Sequence, residues 1–321
     1  MNANDHRISR RTFLGTLAAA LASAWFAPLG LRAADKAAIH TTAIGKTAIR
    51  KIIPATGETL PVIGLGTSRT FNISGGEATL SGLAEVLQTF FANGGELVDS
   101  SPMYGQAERV IGELLNRVGN RDKLFAATKV WTDGERAGIR QMEDSLQKWG
   151  ISSFDLMQIH NLRDWQTHLK TLKAWKAEGK IRYTGITTSH GRYHRQLEKI
   201  LRNESLDFVQ FSYNIQDRDV EQRLLPLAAD RGMAVLINRP FQRGDLFRKI
   251  KGQALPDWAA DCDCASWGQF FLKFIVSHPA VTCVIPATSK VHHLQDNMAA
   301  GFGRLPDTAM RKRMVEYFAS L

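Results

Sequence analysis

Leu97-Val98-Asp99-Ser100-Ser101-Pro102-Met103-Tyr104-Gly105 reads as a short buried strand, Glu96 to Val98, that ends in a carboxylate and turns through Ser-Ser-Pro to a tyrosine. The pattern delivers Asp99 to a strand's C-terminal end and sets Tyr104 on the loop just beyond. Two later runs end similarly. Leu124-Phe125-Ala126-Ala127-Thr128 stops at Lys129, and Phe154-Asp155-Leu156-Met157-Gln158-Ile159 stops at His160. A carboxylate, a phenol, an ammonium and an imidazole at successive strand ends make a usable acid–base set. In a parallel barrel those ends converge on one mouth.

Working outward, Ile49 to Ile63 alternates around Ala55-Thr56-Gly57-Glu58 and predicts a β-hairpin. The apolar runs Val62–Gly66, Glu96–Asp99, Leu124–Lys129, Phe154–His160, Tyr183–Thr187, Phe208–Ser212, Ala234–Asn238 and Val281–Pro286 predict eight strands. Helical patterns lie between them, such as Glu108–Leu115, Leu169–Trp175 and Gln196–Leu201. The expected fold is α/β, a (β/α)8 TIM barrel with an N-terminal β-hairpin. A doubly wound dinucleotide fold is the rival. Gly64-Leu65-Gly66 follows a strand, but no third glycine stands at the spacing that fold requires. Residues 239–262 make a long connection over the barrel mouth, and Asp307–Leu321 predicts a terminal helix.

The chain has 321 residues and a formal net charge of +10. Residues 1–33 carry Arg7, Arg10, Arg11 and Arg32 against Asp5, a net +3, which leaves +7 on the rest. Those basic residues are scattered, and the clusters Arg248–Lys251 and Arg311–Arg313 read as solvated faces, so no nucleic-acid partner is indicated. Three cysteines make no disulfide framework. Cys262 and Cys264 lack the second pair a metal site would need, Cys283 reads as core, and no metal is expected.

The N-terminus reads as an address. Arg10-Arg11-Thr12-Phe13-Leu14, an uncharged stretch to Leu29, and then Leu31-Arg32-Ala33-Ala34 resemble a twin-arginine (Tat) export signal. Many alanines, Gly15, Ser23 and Pro28 make it a poor membrane anchor, so no stable span is expected after cleavage. The expected organisation is a signal peptide over 1–33, a linker over 34–48 and a barrel over 49–321. The Tat export machinery is then a partner, and the bacterial periplasm or cell envelope the location.

Tyrosine is a weak acid, its reference pKa being about 10. Lys129 beside Tyr104 is expected to stabilise the phenolate and lower that value, and Asp99 to hold Lys129 charged. His160 is placed to orient a substrate oxygen. Such a set protonates a carbonyl oxygen as it becomes an alkoxide.

At these residues the chain resembles the aldo-keto reductases, over about 49–321. The resemblance rests on Gly64-Leu65-Gly66-Thr67, Asp99 with Tyr104, Thr128-Lys129, Gln158-Ile159-His160-Asn161, Gln210 in Val209-Gln210-Phe211, and Ile285-Pro286 with Asn297. It implies that Tyr104 is the proton donor, that Asp99 and Lys129 tune it, and that His160 positions the carbonyl. The nicotinamide site it implies includes Gly66, Thr67, Asp99, Thr187, Thr188 and Gln210. Asn238 stands where many members stack an aromatic on the nicotinamide, and the adjacent Arg239 is expected to contact phosphate or substrate. The phosphate and adenosine end falls on Thr288, Ser289, Lys290, His293, Asp296 and Asn297. Lys290 favours NADP(H) over NAD(H), although His293 replaces the family's usual arginine. Trp131, Phe71 and Asn161 are the expected substrate contacts.

The function implied is an NAD(P)H-dependent reduction of a small-molecule aldehyde or ketone to an alcohol. The alternative is a cofactor-binding sensor or regulatory partner with little turnover, since related barrels serve that way. A barrel isomerase or lyase using the same acid–base groups is disfavoured by the nicotinamide-site matches.

Overall fold

A computed structural model describes residues 47–321, so residues 1–46, with the expected signal peptide and most of the linker, lie outside the described residues. The predicted hairpin is present: β1 (Arg50–Ile52) pairs antiparallel with β2 (Thr59–Pro61). Eight parallel strands follow: β3 (Leu65–Gly66), β4 (Leu97–Asp99), β5 (Phe125–Val130), β6 (Phe154–Ile159), β7 (Ile181–Thr187), β8 (Phe208–Ser212), β9 (Ala234–Asn238) and β10 (Cys283–Val284). Each strand pairs with the next in sequence. The two edges meet as well: Gly64 N–H donates to Val284 O at 2.8 Å, Val284 N–H to Val62 O at 2.9 Å and Gly66 N–H to Pro286 O at 3.1 Å. These bonds and two parallel bridges, Ile63 to Val284 and Gly66 to Ala287, bring the sheet round into a barrel.

The first and last strands are shorter than Val62–Gly66 and Val281–Pro286 predict, because closure there rests on isolated bridges rather than a continuous ladder. Gly66 sits at this seam. A Cβ on it would stand 2.7 Å from Ile285 O, so close approach of two backbones accounts for the glycine.

Strand periodicity sorts the side chains. Leu97, Phe125, Ala127, Leu156, Phe208, Ala234, Leu236 and Cys283 form the inner cluster with Ile53 and Leu60 of the hairpin. Their neighbours Val98, Ala126, Met157, Val209, Val235 and Val284 belong to the layer between strands and helices. The hairpin closes the end of the barrel opposite the strand C-termini. There the Tyr183 hydroxyl, near the start of β7, donates to Glu58 Oε2 at 2.6 Å and lies 2.7 Å from Thr56 Oγ1. Continuing the inner alternation by two residues puts Asp99, Lys129, Gln158, Gln210 and Asn238 at the other end. Their inward aim is thus a consequence of the same period that buries the core.

The helices are α1 (Glu77–Ala92), α2 (Ala107–Val118), α3 (Glu135–Trp149), α4 (Trp165–Ala177), α5 (His194–Asn203), α6 (Leu224–Asp230), α7 (Asp245–Lys249), α8 (Trp267–Val276), α9 (Val291–Ala299) and α10 (Thr308–Ser320). The last is the predicted terminal helix, and the side chain of Asp307 caps it by accepting from Met310 N–H. None of the described helices is long and apolar enough to cross a membrane. Cys262 and Cys264 are buried free thiols with sulfurs 3.6 Å apart, and Cys283 is in the inner core.

Candidate active site

Asp99 and Lys129 end adjacent strands and meet inside the mouth. Lys129 Nζ donates to Asp99 Oδ2 at 2.5 Å and to Ser100 O at 2.6 Å, with the ammonium wholly removed from solvent. Burial works against the charge on Lys129, but Asp99 and the Tyr104 phenol outweigh it and hold its pKa above the ordinary lysine value. The lysine is therefore an ammonium. The other carboxylate oxygen, Asp99 Oδ1, accepts from Gln158 Nε2 at 2.9 Å and Gln210 Nε2 at 3.1 Å. A carboxylate that accepts three side-chain hydrogen bonds is a rigid support for the lysine. Thr128, whose side chain leaves the barrel on the opposite face of β5, anchors that strand by donating to buried Glu108 at 2.5 Å.

Tyr104 closes a 3-10 turn that begins with Pro102, and the Ser101 hydroxyl caps the turn by accepting from Met103 N–H at 3.1 Å. Lys129 Nζ lies 5.3 Å from the centroid of the Tyr104 ring. Tyr104 is half-buried as a residue, with its hydroxyl end enclosed. Here the expectation of a lowered phenol pKa is corrected: burial raises it above the ordinary value, and the opposing pull of Lys129 does not cancel that. The phenol stays protonated at neutral pH, which suits a proton donor.

His160 stands with its ring 5.7 Å from Tyr104 and perpendicular to it, and 6.5 Å from the Trp131 ring. Burial, then the charge of Lys129, pushes the imidazole down to about 2, so it is neutral. Its Nδ1 lies 2.8 Å from the Ser101 hydroxyl, a partner that engages one ring nitrogen and leaves Nε2 for a ligand. Sequence reading treated Ser101 only as a turn residue and Gln158 only as part of a motif. The serine's proximity to the tyrosine was the available signal, but its histidine partner lies 59 residues away.

The implied cofactor residues fall in three groups. Thr187, Thr188, Gln210 and Asn238 gather at the ends of β7, β8 and β9. Asn161 N–H donates to Thr187 Oγ1 at 3.3 Å. Asn238 Nδ2 donates to Thr188 O at 2.9 Å and Gln210 Oε1 at 3.2 Å, while Ser212 Oγ donates to Asn238 Oδ1 at 2.7 Å. Thr188 Oγ1 is buried without a hydrogen-bond partner among the described residues. A buried hydroxyl left unpaired is costly, and a carboxamide bound beside it would supply the missing partner, so the residues fit a nicotinamide. Arg239 is half-buried with a left-handed backbone (φ +50°), and its guanidinium lies 3.4 Å from Ser189 Oγ. Burial, then the nearby Arg243, holds its pKa below the ordinary arginine value.

The second group gathers at α9. Thr288 is buried and its Oγ1 accepts from Lys290 N–H at 3.1 Å, while Ser289 and Lys290 are exposed. No side chain caps the first turn of α9, so its N–H groups remain open to an anion. Burial, then His292 and Lys290, keeps His293 neutral. Asp296 is already engaged, accepting from Ser266 Oγ at 2.7 Å and Gln269 Nε2 at 2.8 Å, and Asn297 is buried beside it.

The third group, Gly66 and Thr67, lies at the end of β3. Thr67 is fully buried and its hydroxyl lies 3.0 Å from Asp99 O and 2.9 Å from Ser100 Oγ. These two residues hold the β3 seam and the loop after β4. Of the expected substrate contacts, Trp131 and Asn161 line a cavity of about 440 Å³ at the mouth. Phe71 instead lies fully buried in the outer core, so it presents no surface there. Its aromatic bulk serves packing between elements.

Comparison with known proteins bears on the family and the fold. The model of the "Aldo/keto reductase family" matches residues 62–313. Methylglyoxal reductase YeaE of Escherichia coli (strain K12) is 28% identical over 260 residues, covering 78% of this chain and 89% of that protein. An NADH-specific methylglyoxal reductase of the same organism is 29% identical over 238 residues, covering 63% of this chain and 70% of that one. The crystal structure of an aldo/keto reductase from Klebsiella pneumoniae in complex with NADP and acetate superposes with a TM-score of 0.71 at 22% identity, covering 84% of this chain and 95% of that one. With the barrel described and the family model spanning most of it, this chain belongs to the aldo/keto reductase family.

Proposed function

We propose that the protein reduces an aldehyde or ketone to an alcohol with NADP(H), Tyr104 donating the proton to the carbonyl oxygen. The observation that carries this reading is the meeting of Tyr104, Lys129, Asp99 and His160 at one mouth, with the lysine charged, the imidazole neutral and the phenol protonated. The bound nicotinamide would supply the hydride. Thr187, Thr188, Gln210 and Asn238 would hold its ring, and Thr288 to Lys290 with the start of α9 its phosphates. His160 Nε2 and the Tyr104 hydroxyl receive the carbonyl oxygen. As negative charge develops on that oxygen, the phenol proton passes to it and Lys129 stabilises the phenolate left behind.

NADP(H) is favoured by Lys290 at the phosphate end and by relatives solved with NADP or NADPH. A neutral His293 and an NADH-specific relative argue for measuring both nucleotides. The decisive assay follows nicotinamide absorbance with NADPH and with NADH against a panel of aldehydes and ketones. Tyr104→Phe is expected to lower turnover by about 10²–10⁴-fold while leaving nucleotide affinity unchanged. Retained turnover would remove the assigned role. A nicotinamide sensor is favoured by one observation: Asn238, bonded to its neighbours, offers no ring to stack on the cofactor. Nucleotide binding without turnover across the panel would select that reading.

The location we propose is the cell envelope, reached by twin-arginine export of residues 1–33. Replacing Arg10 and Arg11 by lysine should retain the protein in the cytoplasmic fraction, and an unchanged distribution would refute export.

A further inference from the structure

The cavity beside His160 has a charge pattern that the reduction itself does not need. Its wall is built from the loops after β4 to β7 and the start of α5: Met103, Trp131, Asn161, Arg163, His190 and Arg192 among others. No aspartate or glutamate lines it. Arg163 stacks on Trp131 at 5.0 Å and is neutralised by Asp133 at 2.5 Å. Arg192 stacks on Tyr193 at 4.9 Å and has no carboxylate partner among the described residues. Beside it, His190 Nδ1 is buried without a hydrogen-bond partner among the described residues. Trp131 is shared between this cavity and the His160 ring, and Met103 precedes Tyr104, so the cavity adjoins the residues proposed to react.

We infer that the carbonyl substrate carries an anionic group, a carboxylate or a phosphate, and that Arg192 receives it. The inference rests on the proposed carbonyl reduction and names the substrate class of the same site. The nucleotide does not account for this basic wall, since its phosphates are proposed to lie at α9 after β10, whereas this cavity lies over β4 to β7. A lone guanidinium stacked on an aromatic ring is a preorganised anion receptor, with its planar fork already oriented. Burial, then the charges of Arg192, Arg239 and Arg243, hold the His190 pKa below the ordinary histidine value, and the same charges add positive potential to this side of the cavity. Trp131 and Met103 supply apolar walls for the part of the substrate between anion and carbonyl.

The test compares matched pairs on the full chain with saturating nucleotide: benzaldehyde against 4-carboxybenzaldehyde, and glyceraldehyde against its 3-phosphate. The wild-type protein should favour the anionic member of at least one pair by about five- to tenfold in kcat/KM, mostly through KM, and the pair concerned separates a carboxylate from a phosphate substrate. Arg192→Gln should bring that ratio to about one, Arg192→Glu should invert it, and Arg192→Lys should restore part of it. Nucleotide Kd, read by protein fluorescence, should be the same in all four proteins, and raising ionic strength should shrink the wild-type preference. Turnover with no anionic preference, or a preference that Arg192→Gln leaves intact, overturns the inference while the reductase reading stands. No nucleotide oxidation with any of the four aldehydes overturns both.

Discussion

Lys129 Nζ and Asp99 Oδ2 stand 2.5 Å apart at the ends of two neighbouring strands, the lysine side chain wholly buried and the aspartate 2% exposed. Inside a barrel such a pair holds only because both members are further bonded: the lysine to Ser100 O, the aspartate to Gln158 and Gln210. Removing one partner strands a charge in low dielectric. Asp99→Ala is expected to cost about 3–5 kcal/mol of stability, and the double variant Asp99→Ala/Lys129→Met to recover most of it. Urea unfolding of the three proteins checks this, and a double variant no more stable than the single one would refute the account.

Ser101 acts through His160. With the hydroxyl gone, Nδ1 loses its partner and the imidazole is free to adopt the other tautomer. Ser101→Ala should lower kcat about tenfold with KM changed much less, and Ser101→Thr should restore part of the loss. Nitrogen chemical shifts of the His160 ring should report a changed tautomer in the alanine variant. An unchanged ring spectrum would show that the serine serves the turn alone.

Thr188 offers a change of opposite sign in two measurements. Its buried Oγ1 has no partner among the described residues, so Thr188→Val should leave the nucleotide-free protein as stable or about 1 kcal/mol more stable. The same substitution should weaken nicotinamide nucleotide binding about tenfold, because the hydroxyl proposed to pair with the carboxamide is lost. Equal nucleotide affinity in both proteins would place the carboxamide elsewhere.

His160 makes stability depend on pH in a defined window. Its folded pKa is depressed to about 2, whereas in the unfolded chain it is ordinary, near 6.5. Between those values the unfolded chain binds a proton that the folded protein does not, so stability is full above pH 6.5 and falls as pH falls. From pH 7.5 to 5.5 this group alone should remove about 1.4 kcal/mol. His160→Asn should lose that much less over the same interval in urea titrations, and identical losses would mean that the imidazole is not held neutral.

The corrected and confirmed expectations divide by range. Every predicted strand appears, because four to seven apolar residues between helical patterns have few other homes, and the hairpin and last helix follow from turn and cap residues. Boundaries moved most where β3 and β10 close the barrel, since closure depends on pairing between residues 221 positions apart. Phe71 was misread because an aromatic near a strand end looks the same whether it faces a pocket or the helix layer. The phenol of Tyr104 was expected below its usual pKa because a sequence lists charged neighbours but not burial, and here burial is the larger effect.

The sequence by itself determined the barrel, its hairpin and which residue types stand at strand ends, because period-two alternation and strand length are local properties of the chain. Tertiary structure alone decided which of those residues meet. Ser101 and His160, Asp99 and Gln210, Thr188 and Asn238 are joined across 59, 111 and 50 positions, distances over which no local pattern carries information. It also decided the protonation of the site, since burial keeps the Tyr104 phenol protonated and the His160 imidazole neutral, while Asp99 and Tyr104 hold Lys129 charged against its burial.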